Sequence, residues 1–134
     1  MTETTNSATS ATSHARSSLD LWLTMWNGDA DLARRICAED FRIHFAMTES
    51  DGSTPADHIR TAEDFARYLR WWHDTHPGAV FTRVSDAIDG EHGRLLWDLD
   101  AGDVQVGGVD VVDFDRDGRV RRVWSVGGRR SMRS

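Results

Sequence analysis

One predicted strand carries a carboxylic acid among valines, and this acid is the first candidate for chemistry. Asp110 lies in a run of β-branched residues that begins at Val104. Because side chains alternate along a strand, Asp110 shares a face with Val112 and Phe114, and we expect that face to point inward. A carboxylate buried without a partner costs several kcal/mol or more, so its pKa normally moves upward. Asp110 is therefore the predicted catalytic acid or base.

A second acid, Asp98, lies on the preceding predicted strand. Asp98 and Asp100 have the same strand parity, and Trp97 has the opposite one. If the even-numbered face points inward, Asp98 could lie close to Asp110, and two carboxyl groups that share a site separate into an acid and a base. If the odd-numbered face points inward, Trp97 lines a pocket and the acids are solvated. We favour Trp97 inside and keep Asp98 as a candidate catalytic partner.

Six tryptophans are more than a core of 134 residues needs, and they could form the walls of a pocket for a flat ligand. An indole ring offers an apolar face and an N–H that can orient a polar group. Core packing is the default for Trp22 and Trp72, which lie on the inner faces of helices, whereas Trp71 and Trp124 could belong to a dimer surface. The predicted substrate-binding residues are Trp22, Trp26, Phe45, Trp72, Trp97, Val112 and Phe114.

Histidine is the other residue type that could move a proton here. Alternation along the predicted strand Phe41–Phe45 places the apolar residues on one face and His44 on the other, so His44 reaches an enclosed site only if a bulge intervenes. His73 and His76 fit the C-terminal end of a helix. Since no histidine pair has metal-ligand spacing beside an acid, and no glycine-rich phosphate loop follows a strand, we predict no metal and no cofactor.

Composition limits the partners and the chemistry. The net charge of −6 argues against nucleic acid, and no apolar run approaches the roughly 20 residues of a membrane helix. All 16 basic residues are arginine, which excludes Schiff-base chemistry on lysine. The single cysteine, Cys37, cannot form an intramolecular disulfide. We expect a cytoplasmic protein whose partner is a hydrophobic small molecule.

The chain is predicted to form one domain, residues 18–128, with helices before strands. Residues 1–17 are rich in Ser, Thr and Ala and are expected to be a disordered leader, and residues 129–134 a basic, fraying tail. The long polar segment 47–60 is either a lid or a mobile surface insertion. Periodicity predicts helices at 18–27, 29–38 and 61–76, and strands at 41–45, 79–88, 94–100 and on both sides of the turn 115–118. This order indicates an α+β fold with the helices on one side of a curved, mostly antiparallel sheet.

The element order, Gly28-Asp29 between the first two helices, and the closing residues Gly108–Phe114 and Asp117–Val120 resemble the NTF2-like superfamily. The similarity is greatest to its SnoaL-like branch of polyketide cyclases and ketosteroid isomerase-like proteins, and it covers about residues 18–128. It implies a cone-shaped fold, a homodimer, and a cofactor-independent enzyme that transfers protons during cyclisation, isomerisation or dehydration of a hydrophobic molecule such as a polyketide. The alternative is a non-catalytic module for small-molecule binding or dimerisation.

The resemblance also assigns roles to individual positions. Asp110 falls on the oxyanion-hole acid of ketosteroid isomerase, but Phe45 and Leu21 stand where that enzyme has its base and its tyrosine, so we do not expect steroid isomerisation by that mechanism. The SnoaL-like cyclases resemble the chain through His44 and Asp110. The resemblance to epoxide hydrolases is weaker, because the last strand, Val123–Val126, offers no acid.

Overall fold

The computed structural model describes residues 2–134, and it describes side chains from residue 13 onward. Three helices are present, with a short 3₁₀ helix at Pro55–His58: α1 (Thr2–Trp26), α2 (Leu32–Ile36) and α3 (Ala62–Thr75). The strands are β1 (Cys37–Phe45), β2 (Val80–Asp89), β3 (His92–Ala101), β4 (Val104–Phe114) and β5 (Val120–Gly128). The predicted α+β architecture, with three helices on one face of a curved sheet, is confirmed. No helix in the described part of the chain is long and apolar enough to cross a membrane.

The sheet has the order β1-β5-β4-β3-β2. Strands β2 to β5 form an antiparallel meander because tight turns join them in sequence, and β1 pairs in parallel with β5 at the edge. The predicted facing of β4 is confirmed: Asp110, Val112 and Phe114 are buried, whereas Val111 is exposed. One face of the sheet therefore packs on the helices, and Val111 lies on the opposite, outer face.

The core between the helices and the sheet is rich in aromatic side chains. Trp22 of α1, Phe41 of β1 and Phe65 of α3 are fully buried, and the rings of Phe41 and Phe65 stack with centroids 4.8 Å apart. Removing each such side chain from water contributes about 1.5–3 kcal/mol to folding. These contacts fix α1 and α3 against the sheet and leave the space beside Trp26 and Trp97 open.

Helix α1 is longer than the sequence predicted. The periodicity predicts a start at residue 18, but the helix begins at Thr2. Ala15 precedes Leu19 by one helical turn, lies on the same face and is buried, and Arg16 forms an ion pair with Asp86. Helix α1 therefore continues across the boundary predicted at residue 17; Met1 lies outside the described residues.

Helix α2 is shorter than predicted, and β1 begins earlier. The helix covers five residues instead of 29–38, since Cys37 already pairs with Val120 of β5. The predicted start of α3 is correct: the Thr61 hydroxyl accepts a hydrogen bond from the Asp64 N–H at 3.0 Å. Pairing with a distant strand thus overrode local helix propensity at the end of α2.

The basic tail folds back over the outer face of the sheet. Ser131 Oγ donates to Asp98 Oδ2 at 2.6 Å, and the Met132 N–H donates to Asp98 Oδ1 at 2.7 Å. Burial raises the pKa of Asp98, but these hydrogen bonds and the charge of Arg133 outweigh it, so the net pKa lies below the usual range. Gly107 leaves room for the tail, because a Cβ there would lie 2.2 Å from the Arg130 carbonyl oxygen. The tail therefore packs on the sheet, where the sequence predicts a fraying end.

Candidate active site

A cavity of about 210 Å³ lies between the inner face of the sheet, α1, α3 and the segment that follows β1. Its wall is mostly apolar, with a few polar groups at the floor and the rim, as is typical of small-molecule sites. Its volume falls below the roughly 300–1,000 Å³ usual for drug-sized ligands. The aromatic lining residues are Trp26, Phe45, Tyr68, Trp72, Phe81 and Trp97.

Asp110 lies at the floor of this cavity and is 4% exposed. The indole Nε1–H of Trp22 donates to its Oδ2 at 2.8 Å, and the indole Nε1–H of Trp97 donates to its Oδ1 at 3.0 Å. Trp22 comes from the inner face of α1 and Trp97 from the inner face of β3. Both carboxyl oxygens are therefore held by neutral donors, without a counter-charge.

The surroundings of Asp110 favour its protonated form. Burial raises the pKa of this carboxyl, and hydrogen bonds from Ser125, Trp22 and Trp97 oppose that rise, leaving the pKa above its usual value. An indole nitrogen can only donate, so a proton on Asp110 cannot be shared with either ring. It can be directed only toward the Ser125 hydroxyl, opposite Asp110 on β5, or into the cavity. This arrangement allows Asp110 to exchange a proton with a bound molecule.

Gly108 allows Trp97 to approach Asp110. A Cβ at Gly108 would lie 2.2 Å from Cζ2 of Trp97 and 2.6 Å from Cη2, so the indole ring occupies the place of a side chain. Glycines inside a strand, such as Gly107 and Gly108, are typical of a bulge or of a close approach to the backbone, and the register of β4 with both neighbours is continuous there. The close approach is made by the ring of Trp97.

Several predicted binding residues meet at the cavity, and others do not. Trp26, Phe45, Trp72 and Trp97 line it, and Trp97 points inward as favoured. Trp22 does not line it but contributes the hydrogen bond to Asp110. The remaining two, Val112 and Phe114, are buried in the core farther along β4 and do not line the cavity.

His44 and Asp98 do not lie near Asp110. His44 is exposed on the outer face, opposite Trp124 in the parallel register, because the alternation of β1 continues through Arg42–Phe45 after the irregularity that precedes it. Asp98 also points to the outer face, where the C-terminal tail covers it. The structure therefore provides neither of the two partner groups proposed from the sequence.

A polar pair at the rim was missed. The Tyr68 hydroxyl of α3 donates to Oε1 of Glu49 at 2.9 Å, and both residues line the cavity. Burial, followed by the charge of Glu49, raises the pKa of Tyr68 far above its usual range, so the phenol stays protonated. The helical pattern places Tyr68 on an inner face, but the loop that carries Glu49 has no periodicity from which its facing could be predicted.

The polar segment 47–60 forms one side of the cavity. Ala56 and Ile59 are buried, and the lining residues of this segment run from Met47 to Asp57. The Glu49–Tyr68 hydrogen bond ties the segment to α3. It therefore packs against the domain and does not project from it as a surface insertion.

Comparisons with known proteins agree on the fold. A family model described as the SnoaL-like domain matches residues 19–123. No curated protein matches the chain. A structure from Agrobacterium tumefaciens, of a protein proposed to be an isomerase of the SnoaL-like family, is 21% identical with a TM-score of 0.69 over 87% of this chain and 98% of that one. The structure of an LEH-like epoxide hydrolase from M. tuberculosis is 18% identical to this chain. Its TM-score is 0.66, over 87% of this chain and 84% of that one.

A further structure, of a protein from Kribbella flavida proposed to be a ketosteroid isomerase, is 20% identical to this chain. Its TM-score is 0.66, over 91% of this chain and 83% of that one. Identities this low show that the fold is shared and leave the reaction to be argued from the site itself.

Proposed function

Because the chain belongs to the SnoaL-like family, whose fold is shared by isomerases, cyclases and epoxide hydrolases, we propose that it is a cofactor-independent enzyme that transfers a proton to or from a hydrophobic small molecule. The reaction would be a cyclisation, an isomerisation or a dehydration, each of which needs a proton to move at carbon or oxygen. Asp110 would be the acid or base, and the aromatic walls would hold the substrate. A polyketide-type compound would fit the apolar lining.

The observation that supports this proposal is the setting of Asp110. Asp110 lies on the floor of an aromatic cavity, and both of its carboxyl oxygens accept indole N–H groups. Its pKa is raised, and its proton can be directed toward the Ser125 hydroxyl or into the cavity. A general acid or base works best when its pKa lies near the working pH, and burial moves Asp110 in that direction. Asp110 could then neutralise a negative charge on a substrate oxygen or carbon by giving it a proton, without exposing that charge to water.

A non-catalytic binding module is the second candidate. It is favoured by the apolar side chain of Phe45, which lines the cavity at the position that resembles the base of ketosteroid isomerase. With His44 and Asp98 outside the cavity, Asp110 would have to act without either proposed partner. A module of this kind would bind the same flat molecules and release them unchanged.

Hydrogen exchange separates these two candidates. We expect the protein in D₂O, without added cofactor, to accelerate deuterium incorporation at the acidic C–H of two-ring enolisable ketones, because Asp110 can take up and return a proton. Mass spectrometry measures the incorporation, and calorimetry measures the binding of the same ketones. Ketones that bind saturably but exchange only at the buffer rate would identify a binding module and contradict the enzymatic proposal.

We also propose that the protein is a homodimer that associates through the outer face of the sheet. Val111, Trp124 and Val126 are 45%, 42% and 49% exposed, and Val111 lies directly opposite Trp124 on β4 and β5. These strands are central in the sheet, so the apolar side chains form one patch that a second copy could cover. The cytoplasmic location expected from the sequence stays a prediction.

Sedimentation tests the dimer. The parent protein should sediment with twice the mass of one chain, and Trp124→Arg should sediment as a monomer because it places a charge in the centre of the patch. Trp71→Arg is the matched control, since Trp71 is equally exposed but lies on α3, and it should stay dimeric. A monomeric parent protein would refute the proposal.

A further inference from the structure

The acidic and basic side chains that line the cavity are all carboxylic acids. Asp110, Glu49 and Asp57 are carboxylic acids, whereas no arginine or histidine lines the cavity among the residues that the structure describes. This is notable in a chain with 16 arginines and 6 histidines. An anionic ligand would enter this space without a counter-charge and against repulsion from the rim, so the charge of the lining selects against carboxylates and phosphates.

Glu49 is the acid best placed to meet a ligand. Its Oε1 accepts the hydrogen bond from Tyr68, and the described hydrogen bonds leave its Oε2 available at the rim. Asp110, in contrast, already accepts an indole N–H at each oxygen and lies in an environment that favours its neutral form. Asp57 is exposed to water. A positive charge on a ligand would therefore be met at Glu49 and not at the floor.

Aromatic rings line the same cavity as Glu49 and its partner Tyr68. Tyr68 has its ring centroid 6.0 Å from that of Phe45 and 6.2 Å from that of Trp26, and the rings of Trp26 and Trp72 lie 5.5 Å apart. All four rings line the cavity. Aromatic faces attract cations through the negative charge above the ring, and a group of such rings is a common means of holding an organic ammonium ion.

We propose that the cavity binds a compact amine of one or two rings. The ammonium group of this amine lies beside Glu49 and the aromatic walls, and its ring system points toward Asp110. The proposal rests on the proposed function only in assigning the substrate to this cavity, and it adds the charge and size of that substrate. The volume of about 210 Å³ limits the ring system, and the acidic rim requires the positive end to lie outward.

Three probes with one ring system test the charge preference. Naphthalen-1-ylmethylamine is cationic, naphthalen-1-ylmethanol is neutral and 1-naphthoate is anionic near neutral pH, while their ring systems are the same. By isothermal titration calorimetry we expect the amine to bind about tenfold more tightly than the alcohol. The naphthoate should show no saturable binding. Added salt should weaken binding of the amine and leave that of the alcohol unchanged.

A matched pair of variants assigns the preference to Glu49. Glu49→Gln keeps the shape and an acceptor for Tyr68 but removes the charge, so the amine should lose its advantage over the alcohol. Glu39→Gln makes the same change at an exposed position of β1 outside the cavity, and it should behave like the parent protein. Circular dichroism checks that both variants are folded.

Three results would overturn the proposal: equal affinity for amine and alcohol in the parent protein, equal effects of Glu49→Gln and Glu39→Gln, or no binding of any probe. These measurements detect binding without turnover. A failure here therefore leaves proton transfer by Asp110 untouched, and an absence of deuterium exchange leaves the amine preference untouched.

Discussion

Gly108→Ala should destabilise the protein by about 3 kcal/mol, the upper end of the usual cost of overpacking. The added Cβ would lie 2.2 Å from Cζ2 of Trp97, which is far inside van der Waals contact. The ring has little freedom to withdraw. Its Nε1–H donates a hydrogen bond to Asp110, and its ring and that of Phe81 form a T-shaped pair with centroids 5.4 Å apart. Urea unfolding followed by circular dichroism would measure the loss, and near-ultraviolet spectra would report the displaced indole.

The comparison for this result is Gly128→Ala. Gly128 is also in a strand, but a Cβ there meets no atom within 4 Å, so the change should alter stability by no more than about 0.5 kcal/mol. Trp97→Phe removes the ring atoms that clash, so the effects of Gly108→Ala and Trp97→Phe should be non-additive by about 1 kcal/mol or more. Equal and small effects at Gly108 and Gly128 would show that Trp97 does not lie over the backbone of β4.

The facing of Asp110 could be predicted because its own strand contains the information. Val112 and Phe114 have the same parity and are apolar, so the face that buries them also buries Asp110. The same argument is ambiguous on β3, because its two faces carry Trp97 on one side and Asp98 on the other, and the sequence alone does not show which face points inward. The ambiguity was resolved by contacts that are distant in sequence: Trp97 bonds to Asp110, and Asp98 is covered by Ser131 and Met132.

The rim of the cavity could not be predicted for a different reason. Glu49 lies in a segment without periodicity, and its position depends on the hydrogen bond to Tyr68 and on the burial of Ala56 and Ile59. The error at α1 has a local cause, since Ala15 is a small residue that adds little to a hydrophobic pattern although it lies one turn before Leu19. Residue periodicity therefore predicts the strands and the inward facing of Asp110, whereas tertiary contacts determine the boundaries of the helices and the position of the loop.

Replacement of Asp110 by asparagine should reduce proton transfer by about 10²–10⁴-fold, the usual contribution of a positioned acid or base. The amide has nearly the same shape as the carboxyl group but neither gives nor takes a proton near neutral pH. The deuterium exchange of an enolisable two-ring ketone gives the rate, and calorimetry with the same ketone gives the affinity. Asp100→Asn is the matched control, because Asp100 is exposed on β3 and should leave exchange unchanged.

The same variant should show an altered dependence of stability on pH. An amide offers one acceptor oxygen to the two indole N–H groups of Trp22 and Trp97, so one donor loses its partner at a cost of about 1–3 kcal/mol. In the parent protein the pKa of Asp110 is higher in the folded than in the unfolded state. Its contribution to stability is therefore fully present below the unfolded pKa and is lost as the pH rises through the folded pKa.

Asparagine does not titrate, so the free energy of unfolding of Asp110→Asn should lack this decline. The stability difference between the variant and the parent protein should consequently be larger at about pH 4 than at about pH 8. A pH-independent difference would mean that Asp110 has the same pKa in both states and that its burial does not tune its protonation. A folded variant that binds the ketone and exchanges it at the parental rate would exclude Asp110 as the acid or base and favour the binding module.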